Sequence, residues 1–148
     1  MTTIVYDHKN KMIAIDGRQS AGNEIKMDNA IKWRKDGDNI YFLCGHVSDY
    51  ENFLSHQKKV GTASDVKIEV GAIRVSNGVA YKCSFDDDEY WEHKLECSDG
   101  LGSGGVYALS ALDFGLDVRE AVEYAKKKDI YSGGKVTVFD VEKMEFVE

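Results

Sequence analysis

The order of strand-like and helix-like segments is the feature that most constrains the fold of this chain. Segments typical of β-strands occupy both ends of the 148 residues, and the two clearest helical segments follow each other from residue 106 onward. Strands, then two helices, then strands again favour an α+β fold with layered sheets and helices. The length suits a single domain over residues 1–148.

The predicted strands rest on apolar alternation and on the turn-forming residues between segments. Residues 40–44 are apolar throughout, as expected of a strand buried on both faces, and Ser76-Asn77-Gly78 predicts a tight hairpin. Residues 17–26 are polar and predict an irregular segment. The predicted strands are 3–6, 12–16, 40–44, 66–75, 79–85, 90–97, 135–141 and 143–147.

Three segments have apolar residues at helical spacing. Residues 49–58 predict one helix, and residues 106–112, after the glycine-rich stretch, predict a second that ends near Gly115. A third begins at Asp117, a good N-cap with Glu120 three residues later. Its apolar face carries Val118, Ala121, Val122 and Ala125.

The charge balance is acidic, with 26 Asp and Glu against 19 Lys and Arg and a net charge of −7. Such a surface repels phosphate backbones, and the one basic cluster, at 126–128, lies where cations complement a helix dipole. Nucleic-acid binding is therefore not expected.

No apolar run approaches membrane-spanning length, and the N-terminus lacks the hydrophobic stretch of a signal peptide. The three cysteines, without C-x-x-C spacing, predict reduced thiols in a cytoplasmic protein, and we expect no metal or cofactor.

The second residue is the most informative one for function. A small residue after the initiator methionine normally allows removal of that methionine, and Thr2 would then carry a free α-amine beside its own hydroxyl. An amine that titrates near ~7.7–8.0 is a suitable base for a hydroxyl, which is otherwise a poor nucleophile. With Met1 attached, the nitrogen of Thr2 is an amide and cannot act as a base. Taken alone, Thr2 is better explained as the first residue of an edge strand.

Several further segments follow Thr2 in a definite order. They are Met12-Ile13-Ala14-Ile15-Asp16-Gly17-Arg18, Lys32, Cys44-Gly45, Gly102-Ser103-Gly104-Gly105 and Asp129-Ile130-Tyr131-Ser132-Gly133-Gly134. In this order, the set resembles the proteasome β-subunit family of N-terminal nucleophile hydrolases, and within that family the HslV peptidases. The likeness covers residues 2–49 and 100–141, whereas residues 53–98 match poorly and look shortened.

The resemblance implies a four-layer αββα sandwich, here with a reduced helical layer, and a threonine-type peptidase activity. In that family, the terminal threonine hydroxyl attacks a peptide carbonyl while its own amine takes the proton, a role that falls on Thr2. The resemblance also implies a peptide or unfolded-protein substrate, a homo-oligomer and an unfoldase ATPase partner. Because residues 53–98 are shortened, stacked rings and ATPase docking do not follow automatically.

The resemblance also assigns roles by position. Asp16 and Lys32 would form an ion pair beside the nucleophile, where a fixed positive charge lowers the pKa of the amine and stabilises negative charge on oxygen. Gly45 would donate its backbone N–H to the oxyanion. Ser103 would form a hydrogen bond near the threonine amine, and Asp129 and Ser132 would orient the threonine. The implied substrate-pocket residues are Ala30, Leu43 and Val47, with Arg34 and Glu51 at the rim.

Each of these residues also has a plainer interpretation. Asp16 can form a turn, Lys32 can be ordinary surface charge, and Gly45 suits any tight turn from a strand to a helix. The glycine-rich loop could cradle phosphate, but it lacks the lysine and the spacing of a P-loop. A Cys44–His46 catalytic pair is also disfavoured.

Two functions therefore stay open. The first is a threonine endopeptidase that acts through an ester intermediate on Thr2. The second is a non-catalytic proteasome-like or HslV-like subunit that binds other proteins or assembles with them. The ordered motifs disfavour a third, an unrelated α+β binding domain.

Overall fold

The computed structural model describes residues 2–56, 68–86 and 89–148. Within these ranges, the strands are β1 (Ile4–Asp7), β2 (Met12–Ile15), β3 (Gln19–Ala21), β4 (Glu24–Met27), β5 (Trp33–Asp36), β6 (Asn39–Gly45), β7 (Val70–Ser76), β8 (Val79–Asp86), β9 (Glu89–Lys94), β10 (Asp99–Leu101), β11 (Thr137–Asp140) and β12 (Glu145–Val147). The α-helices are α1 (Tyr50–His56), which follows a 3-10 turn at Val47–Asp49, α2 (Gly105–Asp113) and α3 (Val118–Lys128). The α+β class predicted from the segment order is confirmed.

The strands form two five-stranded antiparallel sheets and one separate hairpin. The first sheet has the order β10-β1-β2-β11-β12, the second has the order β5-β6-β7-β8-β9, and β3 pairs with β4 alone. In the first sheet, Ile4 pairs with Leu101 on one side and with Ile15 on the other. This register places the residues before β1 between the glycine-rich loop that follows Leu101 and the carboxylate of Asp16 that follows Ile15.

In the described residues, the two sheets contribute to three apolar clusters, because alternate residues of a strand point to opposite sides. One cluster joins the two sheets and includes the contact of Phe42 with Phe139, whose ring centroids are 5.4 Å apart. A second joins the other face of the first sheet, through Val5, to α2 and α3. The third lies on the other face of the second sheet, where Phe53 of α1 is fully buried. Full burial of a side chain of this size contributes roughly 1.5–3 kcal/mol.

Local signals account for the elements that the sequence predicts well. Asp117 caps α3 by accepting a hydrogen bond from the backbone N–H of Glu120, whose carboxylate in turn accepts from the N–H of Asp117. The predicted hairpin also forms, with positive φ angles of 50° at Asn77 and 78° at Gly78, as a two-residue primed turn requires. Both predictions are confirmed.

Other elements differ from the predictions. Residues 17–26 are not irregular, since they contain most of the β3–β4 hairpin, and all four residues of β4 are exposed, which removes the alternation that reveals a strand. The strands β5 and β10 were not predicted either, and each is only three or four residues long. The predicted helix 49–58 and strand 66–75 extend beyond the described ranges at 57–58 and 66–67, respectively. Within the described ranges, no helix is both long and apolar enough to cross a membrane.

Candidate active site

Thr2 lies immediately before β1, at the end of the first sheet. The residue is only 1% exposed. Its hydroxyl oxygen accepts a hydrogen bond from Lys32 Nζ at 3.0 Å, and its carbonyl oxygen accepts one from the N–H of Gly104 at 3.3 Å. The side chain is thus held against a cation and the backbone against the glycine-rich loop.

The Lys32 ammonium group has three hydrogens and three oxygen partners. It donates to Asp16 Oδ1 at 2.6 Å, to the carbonyl oxygen of Arg18 at 2.9 Å and to Thr2 Oγ1 at 3.0 Å. Burial lowers the pKa of Lys32, and the negative charge of Asp16 opposes that shift. The site therefore holds a buried positive charge directly on the hydroxyl of Thr2.

The Asp16 carboxylate is fully buried, and both of its oxygens accept hydrogen bonds. Oδ1 accepts from the N–H of Thr3 at 3.0 Å as well as from Lys32. Oδ2 accepts from the N–H of Gly133 at 2.9 Å and more weakly from that of Arg18 at 3.4 Å. Asp16 thereby connects the end of β2, the start of β1 and the loop after α3.

Ser103, Asp129 and Ser132 also lie together in the structure. Asp129 Oδ2 accepts hydrogen bonds from the hydroxyls of Ser103 at 2.5 Å and of Ser132 at 2.6 Å. The Ser132 hydroxyl also lies 2.6 Å from Thr3 Oγ1. Because the single hydroxyl hydrogen of Ser132 is donated to Asp129, Thr3 is the donor in that contact. The network thus reaches the N-terminal segment through Thr3, a residue for which the sequence analysis gave no role.

Gly45 ends β6 with a φ of 113°. A Cβ atom at this position would lie 2.1 Å from the carbonyl oxygen of Glu69, so only glycine fits without a backbone shift. The N–H of Leu43 donates to the carbonyl oxygen of Lys32, and the N–H of His46 donates in the opposite direction, to Glu69. Since N–H groups alternate in direction along a strand, that of Gly45 points to the same side as that of Leu43, which is the side of β5.

An open cleft of about 380 Å³ lies beside these groups, and Thr2, Lys32 and Gly45 form part of its wall. The β3–β4 hairpin forms one side and the 3-10 turn forms another. Val47, one of the three residues expected in the substrate pocket, lines this cleft. The lining residues that the sequence analysis missed include Gln19, Ser20, Ala21, Tyr50 and Tyr131.

Two residues predicted for the substrate pocket do not line this cleft. Leu43 is fully buried on the outer face of the second sheet, in the cluster that contains Phe53, because its strand position directs it away from the cleft. Ala30 lies in a separate depression that Trp33 and Lys135 also line. Neither rim residue contributes to the lining: the Arg34 guanidinium lies 5.5 Å from the ring centroid of Tyr50, and Glu51 is exposed on α1.

The missed residues belong to elements with weak signals in the sequence. The cleft residues of the hairpin lie in the polar segment that was predicted to be irregular. Thr3 gives a clearer signal, because a polar side chain beside a fully buried strand needs a hydrogen-bonding partner. The described residues hold no group of three or more His, Cys, Asp or Glu that could bind a metal ion.

Cys44 and His46 do not form a catalytic pair. Cys44 is buried in the cluster between the sheets, and burial raises the pKa of its thiol. The His46 side chain is largely exposed, and its Nδ1 lies 3.2 Å from Glu69 Oε2.

No protein-family model matches the chain, and no curated protein sequence matches it significantly. Solved structures do match. The structure of Thiobacillus denitrificans BPH in complex with epoxomicin has a TM-score of 0.69 and 19% identity, covering 93% of this chain and 97% of that one. Eukaryotic HslV from Trypanosoma brucei has a TM-score of 0.68 and 20% identity, with the same coverage of 93% and 97%. A further structure of Thiobacillus denitrificans BPH has a TM-score of 0.65 and 16% identity, covering 93% of this chain and 95% of that one. These matches show that the chain has an HslV-like fold.

Proposed function

We propose that this chain is a threonine-type peptidase that cleaves peptide bonds with Thr2 as its nucleophile, once Met1 has been removed. The observation that carries the proposal is the 3.0 Å hydrogen bond from Lys32 Nζ to Thr2 Oγ1, made by an ammonium that also contacts Asp16 at 2.6 Å. A buried cation at this place stabilises the negative charge that develops on Oγ1 as its proton leaves. The HslV-like fold and the cleft beside Thr2 support the same activity.

The first half of the reaction acylates Thr2. Removal of Met1 leaves an α-amine on Thr2, and this amine takes the hydroxyl proton as Oγ1 attacks the carbonyl carbon of the peptide. Lys32 stays protonated and stabilises Oγ1 by its charge. The N–H of Gly45 donates to the carbonyl oxygen as it becomes an oxyanion, and loss of such a donor typically lowers the rate by about 10²–10³-fold.

The second half releases the products. The tetrahedral intermediate collapses when the carbon–nitrogen bond breaks and the leaving amine takes the proton from the α-ammonium of Thr2. The acyl group then remains on Oγ1 as an ester. Water attacks the ester carbonyl, gives a proton to the α-amine, and displaces Oγ1, which regains its hydrogen as the carboxylic acid leaves. Asp16 holds Lys32 in place and exchanges no proton.

We propose in addition that residues 1–148 form one domain with the four-layer αββα arrangement and a reduced helical layer. The three apolar clusters support this arrangement, since α2 and α3 cover one sheet and α1 covers part of the other. Exposed apolar side chains, including Phe114 and Ile130, support a homo-oligomer. A peptide or unfolded protein as the substrate, an unfoldase ATPase as a partner and a cytoplasmic location are expected on the same grounds.

The intact mass of the purified chain and labelling by epoxomicin test the peptidase. We expect a mass that lacks Met1 and an epoxomicin adduct that peptide mapping assigns to Thr2. Thr2→Ala should lose both the labelling and the cleavage of fluorogenic peptides. Ser110→Ala, which removes an exposed hydroxyl from α2, is the matched control and should retain both. Retention of Met1 in a chain that is neither labelled nor active would contradict the proposal and favour a non-catalytic subunit.

A further inference from the structure

Thr3 is fully buried, and each of its polar groups has a partner. Its N–H donates to Asp16 Oδ1 at 3.0 Å, and its carbonyl oxygen accepts from the N–H of Asp16 at 3.2 Å. Its hydroxyl lies 2.6 Å from Ser132 Oγ. The backbone of Thr3 is therefore bound to Asp16, which also binds Lys32, and its side chain is bound to Ser132 in the loop after α3.

The hydroxyl of Thr3 begins a chain of hydrogen bonds with a single direction. It donates to Ser132, and Ser132 donates to Asp129 Oδ2 at 2.6 Å. The hydroxyl of Ser103 donates to the same carboxylate oxygen. A carboxylate accepts hydrogen bonds and donates none, so it orients every hydroxyl in the chain. A methyl group in place of the Thr3 hydroxyl would leave the buried Ser132 oxygen without its donor.

The glycine-rich loop is also shaped around this hydroxyl. A Cβ atom on Gly104 would lie 1.8 Å from Thr3 Oγ1 and 3.0 Å from Ser132 Oγ. A Cβ atom on Gly102 would lie 2.0 Å from the carbonyl oxygen of Thr2. The absence of both side chains lets the loop backbone close over Thr2 and Thr3, and the space left at Gly104 is occupied by the Thr3 hydroxyl.

We propose that Thr3 is a positioning residue that directs the Thr2 hydroxyl toward Lys32, an inference that rests on the proposed peptidase activity. Successive side chains of an extended segment point to opposite sides. Anchoring the Thr3 hydroxyl to Ser132 on one side therefore holds the Thr2 hydroxyl on the other side, 3.0 Å from Lys32 Nζ. A nucleophile misplaced by about 1 Å can lose about 10²-fold in rate.

The test compares kcat and KM for the wild type, Thr3→Val and Thr3→Ser with a fluorogenic peptide. Thr3→Val keeps the shape of the side chain without its hydroxyl, and we expect kcat to fall about 10- to 100-fold with KM within about twofold. Thr3→Ser restores the hydroxyl and should keep kcat within about threefold of the wild type. The rate of epoxomicin labelling at Thr2 should follow kcat. Thr137→Val, on the same sheet and half-buried, is the matched control and should leave kcat unchanged.

The outcomes separate this inference from the peptidase proposal. A wild-type chain that is not labelled and does not cleave would overturn the peptidase. A wild type that is active, a Thr2→Ala variant that is not, and a Thr3→Val variant with wild-type kcat would overturn the role of Thr3 alone. Intact mass shows whether Met1 is removed equally from each variant, and kcat is expressed per folded chain from a melting curve. If Thr3→Val does not fold, Thr3→Ala gives the same readout with a smaller side chain.

Discussion

Lys32 Nζ lies 2.6 Å from Asp16 Oδ1, and the two side chains are 3% and 0% exposed. Two opposite charges in such contact stabilise each other, whereas a single buried charge without its partner is strongly unfavourable. The same pair places an ammonium on the Thr2 hydroxyl, so one ion pair serves both the stability of the fold and the proposed chemistry.

Lys32→Met should destabilise the fold, because it leaves the Asp16 carboxylate buried without its cation. We expect the free energy of unfolding in urea at pH 7 to fall by about 3–5 kcal/mol. Lys26→Met is the control, since Lys26 pairs with Glu24 at 2.7 Å with side chains 50% and 73% exposed. Such exposed pairs contribute about 1 kcal/mol or less. Equal losses in the two variants would contradict a buried charge pair.

Asp16→Asn should move the alkaline limb of the pH profile of kcat/KM to lower pH. Burial lowers the pKa of Lys32, and Asp16 opposes this shift, so removing the carboxylate charge lets the pKa of Lys32 fall further. If the reaction needs protonated Lys32, activity is then lost at a lower pH than in the wild type.

The profile of each variant is compared after scaling to its own maximum, because Asp16→Asn also weakens the hydrogen bonds that Asp16 accepts from Thr3 and Gly133. Asp113→Asn removes an exposed carboxylate at the end of α2 and should leave the limb in place. If the alkaline limb of the kcat/KM profile stays fixed or moves to higher pH in Asp16→Asn, the titration of Lys32 does not control the loss of activity at high pH.

The sequence predicts those parts of the fold that carry local signals. Residues 40–44 of β6 are continuously apolar, the turn at Asn77-Gly78 requires positive φ angles, and α3 has a capping box at Asp117. The strands β4 and β10 lack such signals, since all residues of β4 are exposed and β10 has three residues. Pairing with distant segments, rather than local preference, determines those two strands.

The site shows the same division. Thr2 and Lys32 are 30 residues apart, and only the ordered resemblance, not their spacing, indicated that they meet. Two of the three pocket residues, Ala30 and Leu43, lie outside the cleft, because a position in an aligned strand does not state which face its side chain takes. Leu43 shows the consequence, as it packs under α1 and away from the cleft. Thr3 was missed because its partner, Ser132, is 129 residues away.

The three cysteines should differ sharply in reactivity. Cys97 is exposed, whereas Cys44 and Cys83 are buried, and burial raises the pKa of Cys83 to about 12. Since the thiolate is the reactive form, we expect one of the three thiols to react with a disulfide reagent at pH 8 in the native chain, and all three in denaturant. Cys97→Ser should abolish the native reaction. Rapid reaction of two or more thiols in the native chain would show that the core around Cys44 or Cys83 is open.

Gly45→Ala should impair both stability and labelling, because the backbone at this position leaves no room for a side chain. The φ of 113° is unfavourable for alanine, and the new Cβ would lie 2.1 Å from the carbonyl oxygen of Glu69. A strained conformation of this kind typically costs about 1–3 kcal/mol, which urea unfolding can measure. Relief of the contact requires the strand end to move, and the N–H of Gly45 would move with it.

The rate of epoxomicin labelling at Thr2, measured on the folded fraction, should therefore fall by up to about 10²–10³-fold in Gly45→Ala, the loss typical of one oxyanion donor. Gly71→Ala is the matched control on the neighbouring strand, where a Cβ would meet only Cys44 Sγ at 3.4 Å and a leucine methyl at 3.8 Å. That variant should label at close to the wild-type rate. A folded Gly45→Ala variant that also labels at the wild-type rate would remove Gly45 from the proposed mechanism, because its N–H could then move without any effect on attack by Thr2.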